Sequence, residues 1–325
     1  MHPKSVILED AHAVLQSSFL SDLRKLGTLV SKRGSSLEDY EKSCKEASIL
    51  VASGGSKIDK AYFDRLPNLK LITVFGVGYD GVDVKEAKKR GVLVTHTPAV
   101  MKDDVADMAM ALLLNCTREL IEAHKFIERG DWMQASRPLM VPLTQMKVGI
   151  CGLGRIGEEI ALRLKAFRCE IAYFATHKHE DVPYQYFDNL ENLASWAQAL
   201  IVIMPLTDKT YHMIDSKILK ALGPQGYLIN VARGKIVDTE ALIYALDHKE
   251  IRGCGLDVLE QEPQIPPASL LNKPNVVLTP HAGSATLGSR NAMAQLVLEN
   301  IKSYLEKGEV LTSVPELKKR ERFRI

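Results

Sequence analysis

Gly152-Leu153-Gly154-Arg155-Ile156-Gly157 follows the apolar run Lys147-Val148-Gly149-Ile150-Cys151 and opens a segment with helical spacing. The placement gives each glycine a task. The first allows a tight turn, the second lets the backbone approach a pyrophosphate, and the third permits close helix–sheet packing. The helix start then offers free N–H groups and the positive end of its dipole to phosphate. The segment therefore predicts a strand–turn–helix unit of a parallel α/β sheet. It also predicts a dinucleotide held on residues Gly152, Leu153, Gly154, Arg155, Ile156 and Gly157. A packing turn with accidental glycines has the same letters, but the flanking strand and helix favour the nucleotide.

The same alternation runs through the rest of the chain. Val6-Ile7-Leu8, Ala47–Val51, Leu71–Val74 and Val92–Thr95 are short apolar runs of the kind that become strands buried on both faces. Between the last two, Asp83 stands at an N-cap, Glu86 at N3 and Gly91 past the end of a short helix. A long helical pattern runs from about Asp103 to His124, followed by a loop containing Gly130, Pro138 and Pro142. After the glycine motif come strand-like runs at Ile171–Phe174, Leu200–Met204, Tyr227–Val231, Gly255–Val258 and Asn275–Leu278. A terminal helix covers about Ser289 to Lys307, and the basic run Lys318-Lys319-Arg320-Glu321-Arg322 reads as a solvated tail. The pattern is α/β and doubly wound. At roughly 150 residues per domain, 325 residues suggest two domains.

The strand at Ile171–Phe174 should end beside the adenosine ribose, where NAD sites usually carry Asp or Glu. Here the chain reads Ala175-Thr176-His177-Lys178-His179, and the acids Glu180 and Asp181 come late. Thr176, His177 and Lys178 suit a 2′-phosphate, so the expected coenzyme is NADP(H). An exposed polar loop with weak coenzyme preference is the alternative.

Three segments carry candidate chemistry at strand ends. In Asn230-Val231-Ala232-Arg233-Gly234, the arginine fork suits a small carboxylate and polarises a neighbouring carbonyl. The others are Asp257-Val258-Leu259-Glu260-Gln261-Glu262-Pro263 and Thr279-Pro280-His281-Ala282-Gly283. An imidazole beside a carboxylate suits general acid–base work near neutrality. The sequence alone does not bring Glu262 and His281 together, and each residue taken singly also fits a structural or surface role. Together, after a coenzyme motif, they suggest redox chemistry on a small keto acid.

Composition narrows the classes further. The net charge of +2 gives no general basic field for nucleic acid. The five cysteines are scattered with no CxxC pair, so neither a zinc site nor an extracellular disulfide framework is expected. The histidines offer no metal-ligand set. The N-terminus lacks the pattern of a signal peptide, and the most apolar stretch, Ala106–Cys116, is too short to span a membrane. A cytoplasmic location is the expectation.

The order and spacing of these motifs resemble the D-isomer-specific 2-hydroxyacid dehydrogenases, nearest the NADP-using glyoxylate/hydroxypyruvate reductase and 2-ketogluconate reductase group. The likeness covers nearly the whole chain. It includes Phe75-Gly76-Val77-Gly78-Tyr79-Asp80-Gly81-Val82-Asp83, Thr97-Pro98 with Asp103–Asp107, the glycine loop and the three reacting segments.

The resemblance implies two Rossmann-like or flavodoxin-like parallel-sheet domains with a cleft between them. Residues 1–98 and 290–325 would form a discontinuous substrate domain around an NADP-binding domain at 99–289. It implies reduction of a small 2-oxo acid to the D-2-hydroxy acid, in a homodimer. Arg233 would hold the substrate carboxylate and reacting oxygen, His281 would exchange the proton, and Glu262 would hold His281. Asp257 would orient the nicotinamide amide. Backbone N–H groups of Val77 and Gly78 would bind the carboxylate. Pro205, Leu206, Thr207, Thr210, Val231, Ala232 and Gly283 would line the coenzyme.

Three residues depart from the pattern. His96 stands where many relatives have Asn, and Val100 where they have Gly. Met140 stands where some hydroxypyruvate reductases insert a partner-subunit tryptophan into the substrate site. The resemblance also leaves open a formate- or phosphite-type dehydrogenase of the same fold, and a dinucleotide-sensing transcriptional corepressor.

Overall fold

Runs of aliphatic residues, each followed by a polar cap and a helix, build two parallel sheets in a computed structural model that describes residues 6–11 and 15–317. The basic run at 318–322 and the first five residues lie outside these. The chain divides into two compact units, one of residues up to 101 together with those from 287 onward, the other of Lys102–Thr286.

The first unit holds β1 (Val6–Asp10), β2 (Thr28–Ser31), β3 (Ala47–Ser53), β4 (Leu71–Phe75) and β5 (Leu93–Thr95). Their order is β2-β1-β3-β4-β5, every neighbouring pair parallel. Side chains alternate across the sheet, as the period of two requires. Ile7, Ile49, Leu71 and Phe75 pack on one face against Phe19, Leu23 and the Met293, Val297 and Ile301 stripe of helix Leu287–Lys307. Leu8, Leu50, Ile72 and Val74 fill the other face with Tyr40 and Phe63. Asp83 caps helix Val84–Lys89 by accepting the Glu86 N–H at 2.9 Å, and Gly91 takes the left-handed turn that ends it (φ +67°).

The second unit holds β6 (Lys147–Cys151), β7 (Glu170–Phe174), β8 (Gln185–Phe187), β9 (Ala199–Val202), β10 (Tyr227–Asn230), β11 (Gly253–Leu256) and β12 (Val276–Leu278). The order β12-β11-β10-β9-β6-β7-β8 is again all parallel. The strand order reverses between β6 and β9, and ligands bind at such a switch point beyond the carboxyl ends of the strands. The glycine loop follows β6 and the Pro205 loop follows β9. Both units meet the expectation of doubly wound α/β sheets.

The helical pattern expected over 103–124 is instead two helices, Lys102–Arg118 and Leu120–Glu128, joined at Glu119 in the left-handed region (φ +48°). A distant strand of chain causes the break. Val141 N–H donates to the Thr117 carbonyl at 3.1 Å, the acceptor a continuous helix would offer to Ile121. Ile121 N–H turns to the Asn115 side chain at 3.4 Å. Asp103 and Asp107 of the first helix pair with Arg163 at 3.2 and 2.6 Å, which braces the helix that starts at the glycine loop. No helix among the described residues is long and apolar enough to cross a membrane.

Candidate active site

The glycine loop begins where β6 ends. Gly152 adopts φ +102°, and a Cβ there would stand 3.0 Å from the Ile203 carbonyl oxygen. At Gly157 a Cβ would fall 2.3 Å from the Gly152 oxygen, so helix Arg155–Ala166 packs onto its own entry turn only through a glycine. Gly154 differs, because a Cβ there would meet nothing within 4 Å. It is the N-cap of that helix with no side-chain cap, so open space fronts the unsatisfied N–H groups. Leu153 is buried beneath the turn, Arg155 is exposed and Ile156 half-buried. This cradle fits a pyrophosphate.

Beyond β7, Thr176, His177 and Lys178 are all exposed. Thr176 Oγ1 lies 3.1 Å from His177 Nδ1, and the His177 ring stacks on His179 at 5.2 Å. Lys178 Nζ pairs with Glu180 at 3.0 Å. An exposed pair of this kind is screened by solvent and contributes little, so an incoming phosphate can compete for the lysine. After β9, Thr210 Oγ1 donates to the Pro205 carbonyl at 2.7 Å, and Thr207 N–H donates to Thr210 Oγ1 at 2.8 Å. Thr210 therefore shapes the Pro205–Thr207 turn.

The loop after β10 is braced by Asn230, which is 1% exposed. Its Oδ1 accepts the Ala232 N–H at 3.0 Å and its Nδ2 donates to the Arg233 carbonyl at 2.9 Å. Val231 and Ala232 are buried by this turn, while Arg233 stays half-exposed with Nη1 donating to the Ala232 carbonyl at 2.8 Å. Asn230 stands inside the segment singled out from sequence, but nothing there revealed its bracing role.

The loops after β11 and β12 meet at Asp257, which is 2% exposed. Its Oδ1 accepts from Thr279 Oγ1 at 2.6 Å and from Ala282 N–H at 2.7 Å, and its Oδ2 accepts from Gly283 N–H at 2.8 Å. The backbone joins in, with His281 N–H donating to the Asp257 carbonyl at 2.8 Å. These bonds hold His281 at φ +53°, a left-handed conformation that costs a non-glycine residue about 1–2 kcal/mol. Hydrogen bonds to a charged carboxylate contribute roughly 1.5–3 kcal/mol each, so the clamp outweighs the strain. Asp257 is the anchor of the turn that presents His281.

His281 Nδ1 lies 2.8 Å from Glu262 Oε1. Burial alone would raise the Glu262 carboxyl. The His281 hydrogen bond and charge, the Leu259 N–H and the nearby Arg233 together hold it below the ordinary carboxylate range. The structure thus joins Asp257, Glu262 and His281, and Asp257 N–H donates to the Asn230 carbonyl at 2.9 Å, which links them to the Arg233 loop.

In the other unit, Val77 and Gly78 follow β4 through Gly76. The Val77 carbonyl is 2.8 Å from His96 Nδ1, and the His96 ring meets Tyr79 edge-on at 5.3 Å. His96, a departure from the pattern expected above, pins the turn that carries Val77. Met140 is half-buried in the loop after the Asp131–Met133 turn.

Comparison with known proteins agrees with this geometry. The family model described as D-isomer specific 2-hydroxyacid dehydrogenase, NAD binding domain, matches residues 110–283. The chain is 41% identical over 265 residues to glyoxylate/hydroxypyruvate reductase A of Arabidopsis thaliana, covering 82% of this chain and 84% of that protein. It is 41% identical over 279 residues to 2-ketogluconate reductase of Gluconobacter oxydans, covering 86% and 90%. The solved NADPH-dependent glyoxylate/hydroxypyruvate reductase of Sinorhizobium meliloti, in complex with NADP and malonate, superposes with a TM-score of 0.88 at 39% identity. That match covers 96% of this chain and 97% of the other.

Proposed function

The chain belongs to the D-isomer-specific 2-hydroxyacid dehydrogenase family, and on that premise we propose that it reduces a small 2-oxo acid to the D-2-hydroxy acid with NADPH. The substrate class is glyoxylate, hydroxypyruvate or 2-ketogluconate. The observation that carries the reading is the His281–Glu262 pair, held at the end of β12 by the Asp257 clamp.

The hydride comes from the nicotinamide of the bound coenzyme. The chain's own residues do the rest. The N–H groups fronting Gly154 hold the pyrophosphate, and Thr176, His177 and Lys178 receive the 2′-phosphate in place of the acid an NAD site would carry. Arg233 holds the substrate carboxylate through its planar fork and polarises the carbonyl oxygen. His281 has Nδ1 committed to Glu262, so Nε2 is the nitrogen that gives a proton to the oxygen as hydride reaches carbon. In oxidation His281 takes the proton back.

The active form is a homodimer. Helix Leu120–Glu128 buries none of its residues within the chain, and Leu120, Ile121, Ile127, Trp132 (69% exposed) and Leu139 (93%) give this region an apolar surface that a second copy would cover. The five cysteines are free thiols, suited to the reducing cytoplasm.

The test is loss of NADPH absorbance with each 2-oxo acid, repeated with NADH. Turnover with at least one acid and a clear preference for NADPH are expected. No turnover with any of them would overturn the reading.

A further inference from the structure

A second histidine–carboxylate pair lies in the same unit, two residues from Glu262. His212 Nε2 is 2.9 Å from Glu260 Oε1, and both side chains are largely buried. The Tyr211 ring stacks on the His212 ring at 4.0 Å, and His212 holds a left-handed backbone (φ +48°). Thr239, the first residue of helix Thr239–Asp247, helps to hold the same carboxyl low. Glu260 thus receives a partner from the loop after β9 while standing itself on the loop after β11.

The backbones around it interlock. His212 N–H donates to the Lys235 carbonyl at 2.9 Å, and Ile214 N–H donates to the Ile236 carbonyl at 3.0 Å. A Cβ on Gly234 would fall 2.0 Å from the Leu259 carbonyl carbon and 2.4 Å from the Glu260 nitrogen. The chain carrying Glu260 therefore lies directly on the residue after Arg233. These three loops hold Pro205 and Thr210, then Arg233, then Asp257 and Glu262. Burial alone would raise the Glu260 carboxyl, yet Thr239 and His212 hold it low, so it stays ionised in place.

We propose that Glu260, paired with His212, is a positioning residue for the reaction. Its carboxylate ties the loop after β9 to the loop after β11, both of which lie on the Arg233 loop, and so sets the spacing between Arg233 and the Glu262–His281 pair. It touches neither substrate nor coenzyme. The inference rests on the reading of Arg233, Glu262 and His281 as the reacting set. Misplacing reacting groups by about 1 Å can cost about a hundredfold in rate, so the effect belongs on the chemical step.

The test compares wild type with Glu260→Ala, Glu260→Gln, His212→Ala and the His212→Ala/Glu260→Ala double variant. The readouts are kcat, KM for NADPH and for the best 2-oxo acid, and the deuterium isotope effect with NADPH deuterated at the transferred position. Glu260→Ala should lower kcat about tenfold or more with a smaller change in KM, and its isotope effect should rise as hydride transfer becomes limiting. Glu260→Gln, which still accepts from His212, should recover most of the rate. The double variant should fall no further than Glu260→Ala, because the two residues act as one unit. A wild-type kcat and isotope effect in soluble Glu260→Ala would overturn the positioning role, whatever its thermal midpoint. So would losses in the double variant that multiply. If Glu260→Ala does not fold, His212→Ala decides by the same readouts. An inactive wild type would instead overturn the functional reading itself.

Discussion

His281 Nδ1 and Glu262 Oε1 stand 2.8 Å apart although the two residues are 19 positions apart in the chain. Glu262 lies below the ordinary carboxylate range, held there against its own burial by His281, the Leu259 N–H and Arg233. The carboxylate therefore remains ionised from neutral pH down past the usual carboxylate value near 4.5. Its contribution to stability is complete above that value and is lost as pH falls through the lowered folded-state value. Glu262→Gln should flatten this part of the acid limb of stability, measured as thermal midpoint against pH. The variant also lacks the carboxylate that fixes the His281 ring through Nδ1, so kcat for reduction should fall. An unchanged kcat together with an unchanged acid limb would contradict the pairing.

Asp257 carries the His281 turn. Asp257→Asn should cost about 2–4 kcal/mol of stability, because its amide nitrogen would face a donor at Gly283 or at Ala282 and Thr279. Urea unfolding measures this directly. The kcat should fall as well, since the left-handed His281 conformation loses its clamp. A variant of unchanged stability would show that the turn holds itself.

Coenzyme choice should follow the residues after β7. Replacing Lys178 with Glu removes a cation and places an acid where a 2′-phosphate is expected. A charge-assisted contact to a phosphate corresponds to roughly 10–150-fold in affinity. The ratio of kcat/KM for NADPH over NADH should drop by that order, mostly through KM. Raised salt should weaken NADPH binding more than NADH binding in wild type. An unchanged ratio in Lys178→Glu would move the phosphate site elsewhere.

Assembly has its own test. Leu120→Glu combined with Leu139→Glu places two charges on the exposed apolar surface. Light scattering after size exclusion should report a dimer for wild type and a shift toward monomer for the variant. A monomeric wild type would contradict the homodimer.

The parts of the fold legible in the sequence are those whose causes are local. The glycine loop, the Asp83 cap and the Gly91 stop each depend on neighbours a few residues away, and the structure contains them. The break at Glu119 depends on Val141 taking the Thr117 carbonyl, 24 residues on, so no local pattern announces it. The edge strands β2 and β8 were missed because Thr28–Ser31 and Gln185–Phe187 are short and incompletely buried, with weak apolar runs. β11 begins at Gly253 rather than Gly255, because glycines hide a strand whose neighbours need the room. In the candidate site, Arg233, Glu262 and His281 stood out by residue type at strand ends, and the resemblance ordered them. The Glu260–His212 pair spans 48 residues and leaves no sequence trace. The acid missing beyond β7 was legible because one expected residue type was absent from one position.

In the proposed reaction His281 gives the proton while Arg233 holds the acid and NADPH supplies the hydride. The most direct measurement is steady-state NADPH oxidation by hydroxypyruvate and glyoxylate in wild type and His281→Ala, with NADPH affinity read separately by fluorescence titration. General acid catalysis contributes about a hundredfold to ten-thousandfold. A loss of that size in kcat is expected for His281→Ala, with NADPH affinity changed little. A His281→Ala enzyme that keeps the wild-type rate would contradict it.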